Sequence, residues 1–193
     1  ASLDGTNFTN ITGATLNVYA HGSMTTDTWF RRQATSTLNG FQCTEHTGAI
    51  LVTVNNMTPG SLSGTQTICE DATPAAFTSV PATGDGIITY QWKESPDNGS
   101  TWNNVPSGGN AEIYVAPALD ADMWYKRLAT STALGVPCTE ESNTIMVTVN
   151  NFNPGNIAAE QTICENTAPA SLTSTTPTGD GVFTYRWFKI GRG

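Results

Sequence analysis

The side chains best equipped for chemistry are four cysteines, Cys43, Cys69, Cys138 and Cys164, since thiols can cross-link, ligate a metal or act as nucleophiles. None forms a Cys-x-x-Cys pair, and no Gly-rich phosphate loop or serine-nucleophile motif accompanies them. Four cysteines in an oxidising compartment admit three disulfide connectivities. The only histidines, His21 and His46, are isolated in the sequence. Asp85, Asp120 and Asp122 lie in turn-like stretches, where clustered oxygens would suit calcium; solvated turn acids are the expected reading, and no cofactor is expected. Trp29, Trp102 and Trp124 would make a sugar-binding platform if exposed, with packing against a core as the default. Sequons at Asn7, Asn10, Asn56 and Asn98 say little about function.

The elements that must position these residues come in two copies. Cys43 recurs as Cys138 and Cys69 as Cys164, each 95 positions later, and the segment from Trp29 to Trp92 aligns without a gap on that from Trp124 to Trp187. Thr53-Val54-Asn55-Asn56 returns as Thr148-Val149-Asn150-Asn151, and Thr83-Gly84-Asp85-Gly86 as Thr178-Gly179-Asp180-Gly181. The two histidines do not recur: Ala116 and Glu141 stand at their places, which argues against a zinc or catalytic role for either.

Short β-branched runs, punctuated by 18 glycines and 10 prolines, predict an all-β chain. Ile145, Val147 and Val149 alternate onto one face, as do Ile50, Val52 and Val54. Ile88, Tyr90 and Trp92 share another face, making Trp92 the expected central aromatic and Trp187 its copy. A unit of this length suits an immunoglobulin-like β-sandwich. The expected organisation is one complete repeat at residues 57–151, flanked by the C-terminal half of a repeat at 1–56 and the N-terminal half at 152–193. The run Ser95-Pro96-Asp97-Asn98-Gly99-Ser100-Thr101-Trp102 matches the Asp-box pattern, a hairpin device in which Ser95, Asp97, Gly99 and Trp102 are structural. Ser2-Leu3-Asp4-Gly5-Thr6-Asn7-Phe8 looks like the same device with one residue deleted.

This topology ranks the cysteine pairings. About ten residues of final strand, roughly 30 Å, follow Cys43 before the next repeat begins, which disfavours Cys43–Cys69. Cys69 enters its repeat at the pole expected to hold the last hairpin and Cys138, so Cys69–Cys138 is favoured, with Cys43 and Cys164 bonded to neighbouring units; four free thiols are the alternative.

The order Gln66-Thr67-Ile68-Cys69-Glu70, Thr89-Tyr90-Gln91-Trp92, the Asp-box run, Trp124-Tyr125-Lys126-Arg127 and Cys138-Thr139-Glu140-Glu141-Ser142-Asn143 resembles the Ig-like or PKD-like tandem repeats of very large Bacteroidetes surface proteins, including gliding-motility-associated adhesins. The resemblance covers essentially the whole chain. It implies secretion to the cell surface, commonly by the type IX route, and a structural or adhesive role without catalytic residues. The sequence departs from the repeat after Lys189, where Ile190-Gly191-Arg192-Gly193 stands in place of the Asp-box run.

Eight Lys plus Arg against sixteen Asp plus Glu give a net charge of −8, which opposes binding to nucleic acid or anionic membranes. No apolar run is long enough to span a bilayer, and the first residues lack signal-peptide character. The expected function is therefore an extracellular structural repeat of a surface filament or adhesin stalk. Its partners would be neighbouring repeats, joined head to tail by strand complementation or by a longer chain. The alternative is a carbohydrate- or protein-binding accessory module.

Overall fold

The computed structural model describes residues 1–190; residues 191–193 of the Ile-Gly-Arg-Gly stretch lie outside the described residues. The fold is all-β, built of several sheets and without helix among the described residues. Among the described residues no helix is long and apolar enough to cross a membrane. Two compact units are distinguished: Ala1–Thr58 with Ala82–Ile88 and Thr130–Glu140, and Pro59–Pro81 with Thr89–Ala129 and Glu141–Gly193.

The largest sheet has six strands. Its order is Asn103–Asn104, Ile87–Ser95, Met123–Ala133, Ile145–Asn150, Gln66–Cys69, with Val136–Glu141 also paired to Met123–Ala133. The last of these neighbours is parallel: Val147 faces Gln66 and Asn150 faces Cys69. A small antiparallel pair, Ser61–Ser63 with Thr78–Val80, lies in the unit that includes Pro59–Pro81.

Alternation decides what is buried. Ile145, Val147 and Val149 point inward, as their spacing predicts, while Met146 and Thr148 are half-exposed. They pack with Leu62, Phe77, Trp92, Val105, Tyr114, Leu119 and Tyr125 in one core. Its centre is aromatic: Phe77 lies 5.0 Å from Tyr125 and 5.7 Å from Trp92, and Trp92 lies 5.5 Å from Tyr114, centroid to centroid. The Trp92 indole Nε1 donates to the Ala111 carbonyl at 2.9 Å, so the ring is buried with its one donor satisfied. Burial raises the Tyr125 phenol well above its ordinary pKa.

In the other unit, Thr28–Phe30 pairs with Ile50–Val52, Met57–Thr58 pairs with Thr83–Gly84, and Gln33–Leu38 forms a hairpin with Phe41–His46. The hairpin turns at Asn39-Gly40, with φ of 53° and 83°. Leu134-Gly135, at φ 49° and 80°, makes the same turn 95 residues later. Thr35–Thr44 and Thr130–Thr139 hydroxyl bonds, at 3.0 and 2.8 Å, brace the two hairpins identically.

The expected Cys69–Cys138 disulfide is not formed, and no two of the four cysteines are bonded to each other within the chain. Register explains this. Cys69 stands beside Asn150, on the strand whose Val147 faces Met123, whereas the neighbour of Cys138, Thr139, bonds Thr130. Seven residues of strand, roughly 23 Å, separate Met123 from Thr130, and a disulfide needs Cα atoms within about 7 Å. The hairpin that carries Cys138 and the strand that leads to Cys69 adjoin different ends of Met123–Ala133 rather than one common pole. Cys43 and Cys164 are exposed.

Candidate functional site

The Asp-box run folds as a hydrogen-bonded clasp. Ser95 Oγ donates to Asp97 Oδ1 at 2.7 Å and accepts from the Gly99 amide at 2.9 Å; Thr101 donates to Asp97 through its amide at 2.8 Å and its hydroxyl at 2.6 Å. The hydroxyl bonds from Thr101 and Ser95, with the Thr101 amide, hold the Asp97 carboxyl down at about 2. Asn98 and Gly99 take the positive φ that the turn needs, 58° and 82°. Trp102 is half-buried under Lys126, whose Nζ lies 4.4 Å from the ring centre and 2.8 Å from Glu141. The shortened copy makes the same bonds: Ser2 Oγ to Asp4 Oδ1 at 2.7 Å, Gly5 amide to Ser2 Oγ at 3.0 Å, and Asn7 amide to Asp4 Oδ1 at 2.8 Å. Arg31 covers Phe8 at 4.1 Å as Lys126 covers Trp102. The Ser95 hydroxyl and the Asp97 carboxylate are thus engaged in holding a turn.

Two of the three turn acids, Asp85 and Asp122, cap backbone amides. Asp122 accepts from Val149 at 2.7 Å, and Asp85 accepts from the amide and side chain of Asn56 at 2.8 and 3.1 Å. Asp27 and Asp180 repeat these caps on Val54 and Asn151. Asp120 is exposed. Among the described residues no three His, Cys, Asp or Glu side chains converge on a metal position. His21 stacks on Phe30 at 5.6 Å, and exposed His46 faces Gln33 across the hairpin. Trp29 and Trp124 are half-buried.

Two constellations escape a reading by residue type. The first is a joint: Asn55 Nδ2 donates to the carbonyls of Ser131 and Val136 at 2.7 and 3.0 Å, and its Oδ1 accepts from Ser131 Oγ at 2.8 Å. Ser131 Oγ in turn accepts the Gly86 amide at 3.0 Å. Recurrence of Asn-Asn with Gly-Asp-Gly was the available signal.

The second is Arg127, completely buried and without a salt bridge among the described residues, although the Glu112 carboxylate acts on it electrostatically. Its guanidinium donates to the carbonyls of Glu112 at 2.7 Å, Val80 at 3.0 Å and Pro59 at 3.4 Å, and stacks 4.4 Å above Tyr90. Desolvation pulls its pKa below the ordinary arginine value. Its signal was parity, since Arg127 alternates with buried Tyr125, Ala129 and Ser131 on Met123–Ala133.

The flanking copies carry the same residues uncovered. Trp92 is 0% exposed and Trp187 60%; Ile145 is 4% exposed and Ile50 65%; Phe77 is 1% exposed and Leu172, its positional equivalent, 50%. Tyr185, Trp187 and Phe188 border a groove of about 580 Å³ on the 152–193 segment.

Fold and sequence together define an all-β protein of several sheets with a 95-residue sequence repeat. The chain belongs to the family described as "Domain of unknown function (DUF8696)", whose model matches residues 1–56 and 58–151. Nothing matches among curated proteins or solved structures.

Proposed function

We propose that this chain is a structural repeat unit of an extracellular bacterial filament or adhesin stalk, built of immunoglobulin-like sandwiches and without enzymatic activity of its own. The observation that carries the reading is the contrast between equivalent residues: Trp92 is wholly buried while Trp187 is 60% exposed, though both occupy the same position of the repeat. A face with Trp187, Phe188 and Val182 in water is the kind that marks an interaction surface. The complete repeat closes its core with residues from both of its halves, and 152–193 and 1–56 supply those two halves again. Joining them between neighbours is a heterologous contact that propagates as a fibre rather than closing.

The sheet order supports the immunoglobulin-like part of the reading. Ile87–Ser95, Met123–Ala133 and Ile145–Asn150 lie side by side, as strands C, F and G do in such sandwiches. The likeness to Bacteroidetes surface repeats supports placing the filament outside the cell, and the acidic charge suits a soluble, self-avoiding surface. The rival binding module needs exposed aromatics among convergent polar groups. Trp29, Trp102 and Trp124, the platform it would use, are half-buried, and the exposed rings of Tyr185, Trp187 and Phe188 lie on the face that the filament reading assigns to a neighbour.

Electron microscopy of the concentrated chain tests the proposal. Unbranched strings of beads at a repeat-sized spacing are expected; uniformly single particles at every concentration would contradict it.

A further inference from the structure

We infer that the groove lined by residues between Asn150 and Phe188 is the receptor for the Arg32-bearing segment of a second copy of this chain, with the Arg32 guanidinium as the buried anchor. The inference rests on the filament reading and specifies the joint.

The pattern comes from the complete repeat. There the arginine site is assembled from two blocks of sequence: one provides Arg127 and the Glu112 carbonyl, the other the carbonyls of Pro59 and Val80 and the rings of Tyr90 and Trp92. Moving 95 positions toward the N-terminus turns the first block into Arg32 and Asn17. These already make their half of the site, Arg32 Nη1 donating to the Asn17 carbonyl at 3.1 Å. Arg32 is otherwise exposed.

Moving 95 positions toward the C-terminus turns the second block into Pro154, Thr175, Tyr185 and Trp187. All four line the groove. The local backbone is prepared as in the complete repeat: Gly155, like Gly60, has positive φ, and a Cβ on either would collide with the facing carbonyl, that of Thr175 or Val80. The groove therefore offers carbonyl oxygens and an exposed aromatic face, which together suit a guanidinium: its planar fork donates to the first and stacks on the second.

A glycine supplies an independent sign. A Cβ on Gly86 would overlap the Thr132 backbone, so glycine is required where the hairpin presses close. At Gly181, its copy, a Cβ would meet nothing nearer than the Asn150 side chain at 3.6 Å. Asn150, the copy of Asn55, also lines the groove. The chain thus keeps both the close-approach glycine and the joint asparagine where no hairpin among the described residues engages them. In a second copy, Ser36 and Thr37 are the equivalents of Ser131 and Thr132.

Sedimentation velocity on the full chain tests the joint, comparing wild type with Gly181→Ala, Arg32→Ala, Tyr185→Ala and the Arg32→Ala/Tyr185→Ala double variant. Gly181→Ala has room within its own chain, so it should leave thermal unfolding unchanged while weakening association about 30-fold or more. Arg32→Ala and Tyr185→Ala should each weaken association about 30-fold, and the double variant by clearly less than the product, because both remove one contact. A wild type monomeric up to about 1 mM would overturn both this joint and the filament reading. A wild type that associates, with Gly181→Ala unaffected and the two other losses multiplying, would leave the filament reading standing and overturn the joint.

Discussion

Trp92→Ala is expected to cost the complete repeat about 3–5 kcal/mol, a large share of the roughly 5–15 kcal/mol that holds a typical domain together. The indole is wholly buried between Phe77 and Tyr114 and carries the bond to the Ala111 carbonyl, so alanine leaves a cavity and an abandoned acceptor. The same change at Trp187 should cost less than about 0.5 kcal/mol in the dilute chain, because most of that ring is already in water. Denaturant unfolding followed by circular dichroism compares the two. Equal losses would mean that Trp187 has a core of its own, and the contrast on which the functional proposal stands would vanish.

Arg127→Met should be nearly as damaging. Methionine keeps an apolar stem, but it withdraws the donations to Glu112, Val80 and Pro59 and leaves their carbonyls facing an apolar side chain. At about 1–3 kcal/mol for each buried group deprived of its partner, the two shorter bonds set an expected loss of about 2–6 kcal/mol. Arg127→Lys should recover only part of it, since an ammonium is a point donor without the planar fork that spans the carbonyls and stacks on Tyr90. Buried charges can be replaced by apolar groups at no cost when desolvation cancels their bonds. A neutral Arg127→Met in thermal melts would place this arginine in that class and deprive Arg32 of its role as an anchor.

The all-β class, the 95-residue period, the inward face of Ile145, Val147 and Val149, and the Asp97 clasp were legible in the sequence because each is encoded locally, by alternation or by turn chemistry at fixed spacing. The cysteine pairing was not. It depends on which end of Met123–Ala133 each partner strand adjoins, and that register is settled by long-range packing. Arg127 was hidden differently. Residue type argues for solvent, and only its parity with Tyr125 and Ala129 argues for the core. The Asn55 joint was visible as recurrence but not as chemistry, because its partners Ser131 and Val136 are more than 70 residues away.

The most direct test of the central claim is hydrogen exchange at the amides of residues 183–188 in the intact chain, measured from dilute to concentrated solution. If a second copy completes the 152–193 half-repeat, these amides exchange freely when dilute and gain about 100-fold protection or more on concentration, approaching the amides around Trp92. Rapid exchange at 183–188 at every concentration, beside steady protection around Trp92, would contradict the account.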